Sequence, residues 1–165
     1  MSLNNINTNN IIFANIVLNL AKLSKCVSFK VAAIVVKNNR IISSGINGTI
    51  SGFINCNEKF PNYNKEFDRA EHSVWSNLFE IHAEMNALFF ALKNNIDINN
   101  SILYCTHMPC FICFKHILLS GIKTIYYVYP YDKSMITEDI IIDYKKAGLL
   151  DNLIQIPETT IKDLK

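Results

Sequence analysis

Residues 31–44, VAAIVVKNNRIISS, restrict the fold more than any other stretch of the chain. An unbroken apolar, β-branched run over 31–36 suits a strand buried on both faces, because a half-buried strand alternates polar and apolar side chains. Asn38-Asn39 then turns the chain into a second short strand over 40–44, which is a hairpin signal.

Beyond residue 80 the pattern alternates. Alanine, leucine, methionine and glutamate predict a helix over 81–93 on propensity. A strand follows over 101–106, a helix over 110–119 stopped by Gly121, and a strand over 123–129. A last helix over 138–146 stops at Gly148, before a strand over 153–156. Upstream, 11–22 reads as an amphipathic helix with Asn15, Asn19 and Lys22 outward and Ile11, Ala14, Leu18 and Ala21 opposite. Glycine, asparagine and serine make 45–60 a loop that lines something, and 63–78 is polar with scattered aromatics and takes no assignment. A hairpin followed by β-α-β units predicts a mixed sheet covered by helices on both faces. The chain has 165 residues, half of them apolar, which suits one domain over 1–165 with one core.

Charge and length exclude several function classes. A net charge of +2 with no basic run argues against a nucleic-acid polymer as partner. The early apolar segment 11–23 is too short, and too interrupted by Asn15, Asn19 and Lys22, to span a bilayer, so no membrane partner is expected. Residues 1–10 are asparagine-rich and uncharged, unlike a secretory leader, and the expected location is the cytoplasm. Five cysteines, an odd number, point to metal ligands plus a buried thiol more than to a disulfide framework.

The chemistry concentrates in IHAEMNAL, 81–88, and MPCFIC, 108–113. Zinc takes four ligands from thiolate, imidazole and carboxylate, and a catalytic site leaves one position for water. His82, Cys110 and Cys113 supply three. The cysteines lie in the first helical turn after Pro109, where the helix dipole lowers a thiol pKa, and their i,i+3 spacing puts both sulfurs on one side. The plainer alternative makes them core thiols and His82 a satisfied buried histidine. Glu84 shifts the balance: a carboxylate among apolar helix formers is costly as structure, but burial raises its pKa and suits it to carry protons.

These residues form the His-x-Glu and Pro-Cys-x-x-Cys signature of the zinc deaminases. With the blocks 31–56, which holds the G-x-N-G loop at Gly45–Gly48, 72–88, 106–123 and YPYDK at 129–133, the chain closely resembles the deoxycytidylate (dCMP) deaminases, particularly the phage type. The resemblance runs over about 26–132. It implies a cytidine deaminase-like α/β/α sandwich with a mixed five-stranded sheet. It also implies zinc on His82, Cys110 and Cys113, with Glu84 moving protons while water replaces the amino group at C4 of cytosine, so that dCMP becomes dUMP. Ala83 is expected to offer its backbone N–H to the base, Asn47 to hold the sugar and phosphate end, and Tyr131 to touch substrate.

Phage-type members also carry a second, structural zinc, whose ligands match Cys26, Cys56, His72 and Glu80. The bland reading makes the two cysteines small hydrophobes and the other two surface groups. One uninterrupted helix would leave His72 and Glu80 roughly 80° apart around its axis, so a break between them is implied. The resemblance further implies a homo-oligomer, with a hexamer favoured, and regulation by dCTP and dTTP. Departures from the family pattern are Ala32, Ile46, His107 and Ser28. His107 could meet the pyrimidine edge or the metal ligands, and a surface substitution is favoured. Ser28 stands where an arginine is common, with Lys30 a stand-in. Cys105 reads as a buried thiol, Lys115 and His116 as solvent-facing, and Trp75, Phe79, Phe89 and Phe90 as core or subunit contacts. Two rival readings remain: a deaminase of another cytosine nucleotide or of tRNA adenosine, and a zinc-stabilised interaction module without catalysis.

Overall fold

The hairpin forms as β1 (Ala32–Lys37) and β2 (Arg40–Ile46), joined through Asn38 and Asn39. Both turn residues adopt positive φ, 51° and 57°, as a tight hairpin turn requires. β2 reaches two residues past the predicted strand end, because its pairing continues through Gly45 opposite Ala33 and Ile46 opposite Ala32. The computed structural model describes residues 6–162, so half of the uncharged segment 1–10 lies outside the described residues.

The remaining elements, in chain order, are α1 (Thr8–Ala21), which precedes the hairpin, then β3 (Gly48–Thr49), α2 (Cys56–Lys59), α3 (Arg69–Phe79), β4 (Glu80–Ile81) and α4 (Ala83–Lys93). They continue with β5 (Ile102–His107), α5 (Phe111–Leu119), β6 (Thr124–Tyr129), α6 (Glu138–Lys146), β7 (Asn152–Gln155) and α7 (Glu158–Lys162). Five strands form a mixed sheet in the order β2-β1-β5-β6-β7. β1 is antiparallel to both of its neighbours, whereas β5, β6 and β7 run parallel. The loops leaving β5 and β6 therefore emerge at one end of the sheet, the end where open α/β sheets place their ligands.

The continuous apolar run of β1 is explained by the layers on either side. Ala32, Ile34 and Val36 face a core with Phe13, Val17 and Ile161 from α1 and α7. Ala33 and Val35 face the other core, with Ala87 of α4, Phe114 and Ile117 of α5, and Ile140 and Tyr144 of α6. The result is the three-layer α/β/α sandwich with a mixed five-stranded sheet. Among the described residues no helix is long and apolar enough to cross a membrane.

Three helices escaped the sequence pattern for identifiable reasons. α3 repeats Ala70, Val74 and Leu78 at helical spacing, but these stay exposed and only His72 and Trp75 are buried, so its apolar residues read as scattered within a polar stretch. α2 and α7 are too short to show a period. α1 starts at Thr8, ahead of the predicted start, because Asn7 and Asn10 cap it reciprocally, each side chain accepting the other's backbone N–H at 2.9 and 3.0 Å.

Gly45 fixes the distance between β2 and α4. A Cβ there would lie 2.3 Å from the Ala83 carbonyl oxygen and 2.4 Å from the Ala87 nitrogen, both backbone atoms that cannot rotate away. Gly45→Ala is therefore expected to push the start of α4 off the sheet, at a cost of about 1–3 kcal/mol. Thermal melting with metal analysis checks this: both stability and metal retention should fall.

Candidate active site

A short pairing sets the site. Gly48 pairs with Ile81 and Thr49 with Glu80, so the chain leaves α3 and runs extended before α4 begins. This is the break implied between His72 and Glu80. His82 is consequently the N-cap of α4, with φ −65° and ψ 149°, and lies just outside the helix that the propensity reading placed it in. Glu84 follows in the first turn and is 4% exposed. Cys110 occupies the equivalent position on α5, where its sulfur accepts the Cys113 backbone N–H at 3.5 Å. Two helix starts thus face each other, one bringing an imidazole and the other two sulfurs.

His82 Nδ1 lies 3.5 Å from Cys110 Sγ and 3.3 Å from Cys113 Sγ. The three donor atoms fall within 4.8 Å of one another. A hydrogen bond from Cys113 holds the Cys110 thiol down to about 4, despite burial. His82 is raised, first by its hydrogen bond with Cys110. Burial pushes the Glu84 carboxyl above the ordinary carboxylate range. Two sulfurs and one imidazole with no fourth protein donor among the described residues form a donor set that fits zinc with an open position. Glu84, buried and raised, lies two residues beyond His82, at the start of the same helix.

A second cluster joins Cys26, Cys56, His72 and Glu80, whose donor atoms also lie within 4.8 Å of one another. His72 Nε2 is 3.2 Å from Cys56 Sγ and 3.6 Å from Cys26 Sγ. Burial pushes the Cys56 thiol up to about 12 and raises Cys26 as well. Glu80 Oε2 accepts from Ser76 Oγ, but its buried Oε1 has no hydrogen-bond partner. A carboxylate oxygen orphaned in a buried site is costly unless a cation lies beside it. The soft donors and this orphan together fit a closed, structural zinc site. Phe60 and Tyr63 pack on His72 with ring centroids at 5.3 Å each, and Trp75 closes over Phe60.

Both clusters border one cleft of about 370 Å³, lined by Asn47, Ala83, Glu84 and Tyr131 among others. Ala83 is the first residue of α4 and fully buried, so its backbone N–H is one of the unpaired amides of a helix start. Asn47 is largely committed to the protein itself. Its Oδ1 accepts from Val31 N at 2.8 Å and Ser24 Oγ at 2.7 Å, and its Nδ2 donates to the Phe29 carbonyl at 2.8 Å. It shapes the 24–31 segment and keeps one amide proton without a protein partner.

Several further lining residues were not assigned site roles from sequence, Arg69 and Lys133 among them. Arg69 and Lys133 bring positive charge to the cleft, whereas Lys30 is exposed and lies outside its lining. Their positions carried a signal: Arg69 is one helical turn before His72, and Lys133 is two residues after Tyr131. His107 also lines the cleft, contrary to the favoured surface reading. Cys105 is buried and Lys115 and His116 are exposed, as read, whereas Phe79, Phe89 and Phe90 are 40%, 48% and 50% exposed.

The cytidine and deoxycytidylate deaminase zinc-binding region matches residues 8–129. The chain belongs to this deaminase family. Deoxycytidylate deaminase of Enterobacteria phage T4 is 34% identical over 170 residues, which cover 86% of this chain and 86% of that protein. The crystal structure of the dCMP deaminase from cyanophage S-TIM5 in apo form matches with a TM-score of 0.66 at 30% identity, over 92% of this chain and 100% of that one. The same cyanophage enzyme in complex with dCMP and dUMP matches with a TM-score of 0.64 at 33% identity, over 88% and 93% of the two chains. Two helix starts carry the His82, Cys110 and Cys113 cluster. Both signature segments are the turns that lead into α4 and α5.

Proposed function

We propose that this protein is a dCMP deaminase, converting dCMP and water to dUMP and ammonia. The observation that carries the reading is Glu84, buried with a raised pKa beside the His82, Cys110 and Cys113 cluster, in a chain whose similar relatives are named deoxycytidylate deaminases. In this reading, His82, Cys110 and Cys113 would hold zinc, which supplies Lewis acidity that lowers the pKa of a water. Glu84 takes a proton from the attacking water, delivers it to N3 of the cytosine ring, and assists departure of the 4-amino group as ammonia. The backbone N–H of Ala83 donates to the base, the free amide proton of Asn47 meets the sugar, and Tyr131 closes the wall beside them. Cys26, Cys56, His72 and Glu80 would hold a second zinc that acts through position alone. The chain works as one domain, a reading supported by the five-stranded sheet, whose two faces carry the two large apolar cores.

Arg69 and Lys133 favour a monophosphate over a free nucleoside, because a dianionic phosphate needs cationic or N–H partners. Ammonia release from dCMP, dCTP, deoxycytidine and a tRNA anticodon hairpin tests the whole reading, and turnover confined to the polymer would overturn it. Arg69→Ala should raise KM for dCMP about tenfold, the weight of one charge-assisted hydrogen bond, and leave the slower reaction with deoxycytidine little changed. Exposed apolar side chains, among them Phe53 stacked on Phe79 at 5.2 Å and Leu119 at 84% exposure, support a homo-oligomer. A hexamer is the assembly the family resemblance implies.

A further inference from the structure

We propose that His107 is a specificity-determining residue that donates a hydrogen bond from Nε2–H to an oxygen on the pyrimidine edge of the substrate. The inference rests on the deaminase reading and goes beyond it. His107 ends β5, three residues before Cys110, so it belongs to the part of the cleft where the base reacts. Its ring is braced on two sides, edge-on to Phe29 at 5.9 Å and tilted against Tyr129 at 5.2 Å between centroids. Phe29 is itself held in place, because its carbonyl accepts from Asn47.

The hydrogen bonds decide which nitrogen carries the proton. Thr106 Oγ1 accepts the Ala32 backbone N–H at 3.2 Å and lies 3.1 Å from His107 Nδ1. Thr106 is buried, and among the described residues its hydroxyl has no other acceptor. The threonine proton therefore goes to Nδ1, which makes Nδ1 the acceptor and leaves the ring proton on Nε2. Burial lowers the His107 pKa, because desolvation disfavours the charged ring. Among the described residues Nε2 has no hydrogen-bond partner, and it is not among the fully buried unpaired atoms. With Nδ1 engaged by Thr106, Nε2 is the polar atom that this cleft-lining ring has left to offer, and it is a donor. On the cytosine ring of dCMP the edge acceptor that matches it is the carbonyl oxygen at C2.

Isosteres separate this role from a packing role. His107→Gln returns a donor near Nε2, His107→Asn returns only a group near Nδ1, and His107→Leu returns neither. The probes are dCMP, 5-methyl-dCMP, 5-hydroxymethyl-dCMP and deoxycytidine as substrates, with calorimetric binding of dUMP as a readout independent of turnover. His107→Leu and His107→Asn should lose about tenfold in kcat/KM and in dUMP affinity, with His107→Gln recovering most of it. Equal loss on all four substrates is the result expected for the C2 oxygen, and loss confined to the 5-hydroxymethyl substrate would overturn it. Unchanged kcat/KM in His107→Leu, a loss seen with nucleotides but not with deoxycytidine, or loss of bound metal in all three variants would overturn the proposal. Wild-type protein that fails to release ammonia from dCMP would instead overturn the deaminase reading.

Discussion

Glu84→Gln is expected to cut dCMP turnover by about 10²–10⁴-fold, the usual contribution of a positioned acid–base group, while bound metal and thermal stability stay near wild type. The amide has nearly the carboxyl's shape, so packing against buried neighbours such as Ala83 and Ala87 is preserved. What it lacks is a site that can hold and release a proton. Glutamine is also uncharged, and the Glu84 carboxyl already resists ionisation because of burial, so the swap adds no desolvation cost. A non-catalytic interaction module predicts the opposite, with nothing measurable changed. Side-by-side kcat values and metal content of the two proteins distinguish the outcomes, and full activity in Glu84→Gln would remove the basis of the proposed chemistry.

The second large effect concerns the Cys26, Cys56, His72 and Glu80 cluster. Protein purified without chelator should contain two zinc ions per chain, and Cys56→Ala should contain one. Loss of a structural metal is one of the few single changes that costs about 4 kcal/mol or more, which in a chain of 165 residues lowers Tm by roughly 8–16 °C. The buried Oε1 of Glu80 would then face neither hydrogen bond nor cation. Cys105→Ala is the matched control: it removes a fully buried thiol that belongs to neither cluster, so it should keep both metals. A single zinc in the wild-type chain would refute the assignment.

Much of the architecture was legible because it rests on local signals. The β-branched run and its asparagine turn announced β1 and β2, and glycines marked the ends of α5 and α6, where Gly121 and Gly148 adopt φ of 84° and 70°. The ligand residues were legible for another reason, since the chemistry of a metal demands particular side chains at short spacing. What sequence could not reveal depends on contacts between distant segments. His82 and Glu80 sit in extended backbone because β4 pairs with β3, more than thirty residues away, and helix propensity along 81–93 carries no trace of that pairing. His107 looked like a surface residue because its neighbours Phe29 and Thr106 meet it only in three dimensions. Arg69 was obscured because the apolar repeat of α3, Ala70, Val74 and Leu78, is exposed and does not mark the face that borders the cleft.

Glu80, Ile81 and His82 are consecutive residues of an extended segment, so the first and third project to the same side, each into one of the two Cys/His clusters. The spacer between the clusters is thus one isoleucine, held in register by Gly48. Transplanting only the 82–84 and 110–113 segments into another scaffold would carry the reactive groups without the strut that aims them. A designer borrowing this centre must take the 26–56 arm as well.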